Sequence, residues 1–211
     1  GCFNLHFSFL PSLRGASPVQ TAIASGLKTT GVSLQKMVLR LDSGPLAVCS
    51  GEVEILQDDT TPMLGTRLSE VGGDLIRQNL QNILEGNFTL TEQNESKATY
   101  CGIIKKEDGH LNWKEETAHV IERKLRAYTP WPGIYSFYKI KSKSDSRHRL
   151  QFTKAELVQG NFECGKIYPD LTVGAQTDGL KILYLKPEGK KEMDADSFLR
   201  GNAEILGTVL E

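Results

Sequence analysis

The sequence predicts an α/β fold, with strands and helices mixed in the first half and short strands dominating the second. Three observations carry this. Apolar Phe3 and Leu5 alternate with polar Asn4 and His6, the period of a strand. From Thr61-Pro62 onward, Leu64, Leu68, Val71 and Leu75, then Leu80, Ile83 and Leu84, recur at helical spacing. After residue 133, apolar runs at 134–140, 150–157, 165–167, 171–175 and 180–185 are punctuated by Gly, Asp and Pro, which suits a small β-barrel or sandwich.

Taken in order, residues 2–6 read as a strand that projects Asn4 and His6 from one face, and Pro11 turns the chain. Ser17 and Pro18 suit the cap and first position of a short helix closed by Gly26. Residues 31–39 read as a strand with Val32 and Leu34 on one face and Ser33 and Gln35 on the other. A second strand follows near 46–49. The long helix ends at Gly86, and Gly72-Gly73 within it marks a kink or a tight packing contact. Residues 88–106 lack periodicity and read as a linker. A helix over 114–128 turns Ile121, Leu125 and Tyr128 inward, and Pro130-Trp131-Pro132-Gly133 stops it.

The composition, 39% hydrophobic and 24% charged, argues against extensive disorder. No apolar run approaches a membrane span. Cys2, Cys49, Cys101 and Cys164 are widely spaced without a C-x-x-C, which favours reduced thiols over disulfides or a metal site. Charge divides along the chain. Residues 123–154 hold Arg123, Lys124, Arg126, Lys139, Lys141, Lys143, Arg147, Arg149 and Lys154 against Asp145 alone, interleaved with aromatic residues. That stripe suits a nucleic-acid surface, and equally a solvated strand face over an aromatic core.

An amide and an imidazole side by side on a strand suit acyl-group chemistry: one can donate to an oxyanion, the other titrates near neutral pH. The spacing Asn4, His6, Ser8, Leu10-Pro11, Arg14-Gly15, Pro18, followed by Leu41-Asp42-Ser43-Gly44, resembles the catalytic segment of the folate-dependent formyltransferases. The second half is similar to the C-terminal domain of the methionyl-tRNA formyltransferase branch. The similarity rests on Leu111-Asn112-Trp113, on Arg126-Ala127-Tyr128-Thr129-Pro130-Trp131-Pro132-Gly133, and on the run from Leu185 through Gly189, Lys190 and Lys191 to Met193.

The resemblance implies the C-terminal part of a Rossmann-like formyltransferase domain (1–87), a linker (88–106) and an OB-like β-barrel that helps to hold tRNA (107–211). It implies formyl transfer from 10-formyltetrahydrofolate to the α-amino group of methionyl initiator tRNA, without a metal. Asn4, His6 and Asp42 would be catalytic, and Ser8, Phe9, Leu10 and Pro11 would contact folate. Arg123, Lys124, Arg126, Lys139, Lys141, Arg149, Lys190 and Lys191 would meet tRNA. Phe9 stands where the family usually has Leu, and Arg40 where it often has Gly. The expected setting is a monomer in the bacterial cytoplasm, away from membranes. The chain is expected to be a fragment, with little activity alone, that lacks the first half of a doubly wound sheet. Two alternatives are a sugar-amine formyltransferase and a non-catalytic tRNA-binding remnant; on its own, Asp42 would also suit an Asx turn.

Overall fold

A computed structural model describes residues 1–139 and 147–211. They divide into two units, Gly1–Ile104 and Lys105–Glu211. In chain order the first holds β1 (Phe3–His6), β2 (Arg14–Gly15), α1 (Pro18–Ala24), β3 (Thr29–Thr30), β4 (Ser33–Lys36), β5 (Leu46–Cys49), β6 (Val53–Glu54), α2 (Thr61–Glu85) and β7 (Tyr100–Cys101). The main sheet has the order β1-β4-β5, and both pairings are antiparallel. Asn4 lies opposite Gln35 and His6 opposite Ser33. Cross-strand partners share a face, so these four polar residues project from one side of the sheet.

The other side is apolar and carries α2. Leu64, Leu68, Gly72 and Leu75 are buried along that helix, and full burial of a Leu contributes roughly 1.5–3 kcal/mol. Of the two readings of Gly72-Gly73, the packing contact is the one realised. The helix runs unbroken, and a Cβ on Gly72 would lie 3.2 Å from the Leu5 side chain and 3.6 Å from Val32. The expected core stripe does not reach the helix end: Leu80 and Leu84 are 46% and 74% exposed. Gly86 closes the helix in the left-handed conformation, φ 72°. Ser17 stands at the N-cap of α1, but its hydroxyl bonds the Gly102 carbonyl instead of capping the helix.

Of residues 88–106, read from sequence as a linker, 88–104 are tied into the first unit. Thr91 exchanges backbone hydrogen bonds with Leu46 at 2.8 and 2.9 Å. β7 pairs parallel with β2, and Phe88 packs edge-on against Phe3, with ring centroids 5.6 Å apart.

The second unit holds α3 (Ala118–Ala127), β8 (Ile134–Lys139), β9 (Arg147–Val158), β10 (Thr172–Gly174), β11 (Gly179–Pro187), β12 (Met193–Asp194) and α4 (Ala195–Gly201). Its sheet has the order β10-β11-β9-β8, with β12 also on β11. Ile121 and Leu125 of α3, Phe198 of α4 and Trp113 pack on Leu150, Phe152, Leu180, Ile182 and Leu185. The buried indole N–H of Trp113 donates to the Ser136 hydroxyl at 2.8 Å, which satisfies both. Thr117 caps α3, its hydroxyl accepting from the Val120 N–H.

Among the described residues the continuous strand ladder is open, not a closed barrel. Shorter pairings extend it: Phe137 and Glu211 exchange backbone bonds at 3.0 and 2.8 Å, Leu210 N–H donates to the Gly165 carbonyl, and Gly165 N–H donates to that of Gly174 in β10. Among the described residues no helix is long and apolar enough to cross a membrane.

Candidate active site

The site forms where the polar face of β1 and β4 meets the loop that follows β4. Residues 37–45 return to the sheet, where the Lys36 N–H donates to the Pro45 carbonyl at 2.9 Å. Asp42 takes a left-handed conformation, φ 48°, a region Asp tolerates better than most side chains. Its carboxylate reaches back under β1. The Gly15 N–H donates to Oδ2 at 2.9 Å and the Gln35 amide to Oδ1 at 2.6 Å. His6 Nδ1 stands 3.6 Å from Oδ2, and the two side chains are 5% and 9% exposed. These bonds go to other segments and not to the loop's own backbone, so Asp42 is more than a turn residue. Gly15 is required here, with φ +125°, because a Cβ would lie 1.9 Å from the Cys101 carbonyl oxygen.

A cleft of about 420 Å³ opens over this arrangement, with Asn4, His6, Phe7, Gly15, Leu41 and Asp42 in its wall. His6 Nε2 is 2.8 Å from the Leu13 carbonyl oxygen. That oxygen can only accept, so Nε2 carries a hydrogen and Nδ1, on the Asp42 side, is the nitrogen left to exchange a proton. The Asn4 side chain makes no hydrogen bond to any described residue, so its amide protons are free to meet an oxygen in the cleft. A free amide donor, an imidazole and a fixed carboxylate can stabilise an oxyanion and move a proton.

Sequence reasoning missed what holds the loop. Gln93 donates to the Asp42 and Gly44 carbonyls at 2.9 and 2.6 Å. Its own oxygen accepts from Arg14 Nε and a terminal nitrogen at 3.0 and 2.8 Å. Arg14, 1% exposed, also binds both carboxylate oxygens of Glu95, at 2.7 and 3.1 Å. Hydrogen bonds from Arg14 hold the Glu95 carboxyl below its ordinary value, against an opposing desolvation effect. Gln35 was legible as a strand residue on the face of Ser33, but not as facing Asn4; Gln93 and Glu95, in an aperiodic stretch, gave no signal.

The other expected site residues are placed less uniformly. Ser8 and Leu10 are buried in the first unit, and the Phe9 ring lies against Gly31. Neither these three nor Pro11 lines the cleft of Asn4 and Asp42. On α3, Lys124 is paired with Glu116 and Arg126 with Glu122, and Arg123 is half-buried. Lys139 pairs with Glu211 at 3.1 Å, as Arg147 does at 3.4 Å. Arg149 lies 5.0 Å over the Tyr135 ring and Arg147 3.9 Å over that of Phe137. Lys141 lies outside the described residues. Lys190 and Lys191 line a second cleft, of about 530 Å³, with Lys186, Thr129, Gln151 and Thr153.

Comparison with known proteins gives this geometry its context. Residues 1–80 match the family model described as formyl transferase, and residues 103–203 match that of the formyl transferase C-terminal domain. A methionyl-tRNA formyltransferase from Caldanaerobacter subterraneus is 34% identical over 216 residues, covering 100% of this chain and 67% of that protein. The chain belongs to the methionyl-tRNA formyltransferase family. Another member, from Thermodesulfovibrio yellowstonii, is 38% identical over 204 residues, covering 95% of this chain and 63% of its own length. The chain thus spans roughly two thirds of the length of these formyltransferases. Two solved structures share the fold. An N-formyltransferase from Helicobacter canadensis, in complex with folinic acid and dTDP-3-aminofucose, is 20% identical with a TM-score of 0.66, covering 90% of this chain and 66% of that one. HypX from Aquifex aeolicus, in complex with tetrahydrofolic acid, is 17% identical with a TM-score of 0.64, covering 96% and 35%.

Proposed function

We propose that this chain is the part of a methionyl-tRNA formyltransferase that carries the reacting groups, transferring a formyl group from 10-formyltetrahydrofolate to the α-amino group of methionyl initiator tRNA. The observation that carries the reading is the convergence of Asn4, His6 and Asp42, 38 residues apart at their extremes, on one cleft in a chain of this family. The amine nitrogen bonds to the formyl carbon, and the carbonyl becomes an oxyanion. Asn4 donates to that oxygen. The proton lost by the amine passes through the His6 and Asp42 pair to the folate nitrogen that leaves as its bond to carbon breaks. Asn4's unbonded amide fits a formyl oxygen. Ser8, Phe9, Leu10 and Pro11 are assigned to folate by motif alone.

In the same reading residues 107–211 hold the tRNA. The pairings of residues 208–211 with Phe137 and Gly165 support an OB-like barrel completed by fragments of ladder. The bacterial relatives favour a cytoplasmic setting, and the protein acts as a monomer. Folate-dependent formylation of methionyl-tRNA, assayed beside a nucleotide-linked amino sugar, tests the substrate, in this chain and in a longer form that includes any upstream residues. Asn4→Ala is expected to lower turnover on the order of 10²–10³-fold, the usual effect of losing one oxyanion donor. Near-normal turnover in that variant removes Asn4 from the mechanism, and formylation of the sugar alone replaces the tRNA substrate.

A further inference from the structure

Gln35 is buried on the site face of β4, 2% exposed and directly opposite Asn4. Its amide nitrogen donates to Asp42 Oδ1 at 2.6 Å, short for an N–H···O bond and in the range of a charge-assisted one. Its amide oxygen is buried and has no hydrogen-bond partner among the described residues. An orphaned buried carbonyl is costly, and an apolar side chain of the same length would avoid it. A local rule broken beside a reacting group is expected where function outweighs packing.

We infer that Gln35 is a positioning residue for the transfer reaction: it fixes the Asp42 carboxylate so that Oδ2 faces His6 and Gly15, and the unpaired oxygen is the accompanying penalty. This rests on the assignment of Asp42 to the reaction. The division of labour is plain in the geometry. Gln93 holds the loop by two backbone carbonyls, of Asp42 and Gly44, whereas the Gln35 side chain donates to the carboxylate itself. Two donors on different oxygens, Gln35 on Oδ1 and the Gly15 N–H on Oδ2, set the plane of the group. With one removed, the carboxylate is free to rotate about its terminal bond.

Gln35→Met keeps the length and removes the donor. In whichever form of the protein transfers formyl groups, kcat per folded molecule should fall about ten- to a hundredfold, as for other hydrogen bonds to a charged group, with KM for both substrates unchanged. A residue that merely fills space would leave kcat per folded molecule unaltered. The second measurement needs no activity. Amide hydrogen exchange at Gly15, whose N–H is held by Asp42, should be at least several-fold faster in Gln35→Met than in the parent chain, while Ile55, whose N–H is held by the Lys28 carbonyl elsewhere in the unit, keeps its rate. Unchanged Gly15 exchange overturns the inference whatever the chemistry. Faster Gly15 exchange with unaltered kcat would leave the carboxylate positioned by Gln35 and remove Asp42 from the reaction, which overturns the proposed role in transfer.

Discussion

Arg14 illustrates how much of the site is decided away from Asn4, His6 and Asp42. Its guanidinium is covered by protein, and its charge is met by Glu95 and Gln93. Removing one partner of such a pair leaves a buried charge uncompensated, which is far more damaging than the pair's net worth. The bond has a pH signature. Arg14 holds the Glu95 carboxyl below its ordinary value, so the folded state favours the charged form. The resulting stability is present above the unfolded carboxyl's pKa of about 4.3 and is lost as pH falls through the lower, folded value. Thermal melts of Glu95→Gln and the parent chain should therefore differ at neutral pH and converge in acid; a constant gap down to low pH would mean that the Arg14 bond does not set the Glu95 charge. The projection of Asn4 and His6 from one strand face was legible from alternation, and Asp42 was joined to them by the resemblance, because both signals are local in sequence. Their supports were not, since Gln93 and Glu95 reach Arg14 across some 80 residues and obey no period.

At the level of elements, the amphipathic spacing after Thr61 revealed α2 and its first half correctly. It could not tell that Leu80 and Leu84 lack cover, because periodicity reports a face and not what lies against it. The basic stripe shows the same limit. Counting cations between residues 123 and 154 missed Glu116, Glu122 and Glu211, which arrive from outside the window and pair with Lys124, Arg126, Lys139 and Arg147. Cations already paired gain less from a phosphate, since the existing partner must be displaced. The 186–191 turn is different: Lys186, Lys190 and Lys191 line one cleft, and none has an ion-pair partner among the described residues. Replacing Lys190 and Lys191 by Ala should flatten the log–log salt dependence of tRNA binding by roughly 0.7–0.9 per charge, more than replacing Lys124 and Arg126. An equal or larger effect from the α3 pair would place the RNA on that helix instead.

For the molecule as a whole, the change from mixed elements to short strands was readable from composition and punctuation. The extent of the first unit was not, because residues 88–104 join it through backbone pairing with Leu46 and β2, a contact with no side-chain signature. The second unit has its own core, around Trp113, Phe152 and Leu185, which is the requirement for folding alone. Residues 105–211 expressed by themselves should unfold in one transition, with far-UV circular dichroism and the fluorescence of buried Trp113 tracing the same curve. Curves that separate would show that this core depends on the rest of the chain.

The backbone exchange between Phe137 and Glu211 ties β8 to residues made much later. At about 5–20 residues per second, the ribosome needs on the order of 4–14 s to move from Lys139 to Glu211. Residues 110 and 111, made earlier, already meet Tyr135 on the outer side of β8, but throughout that interval the backbone of Phe137 waits for Glu211. An unpaired edge of this kind is a template for wrong partners. The Phe137 edge of β8 is thus paired only after residue 211 is made, and shielding that edge until then guards it against mispairing.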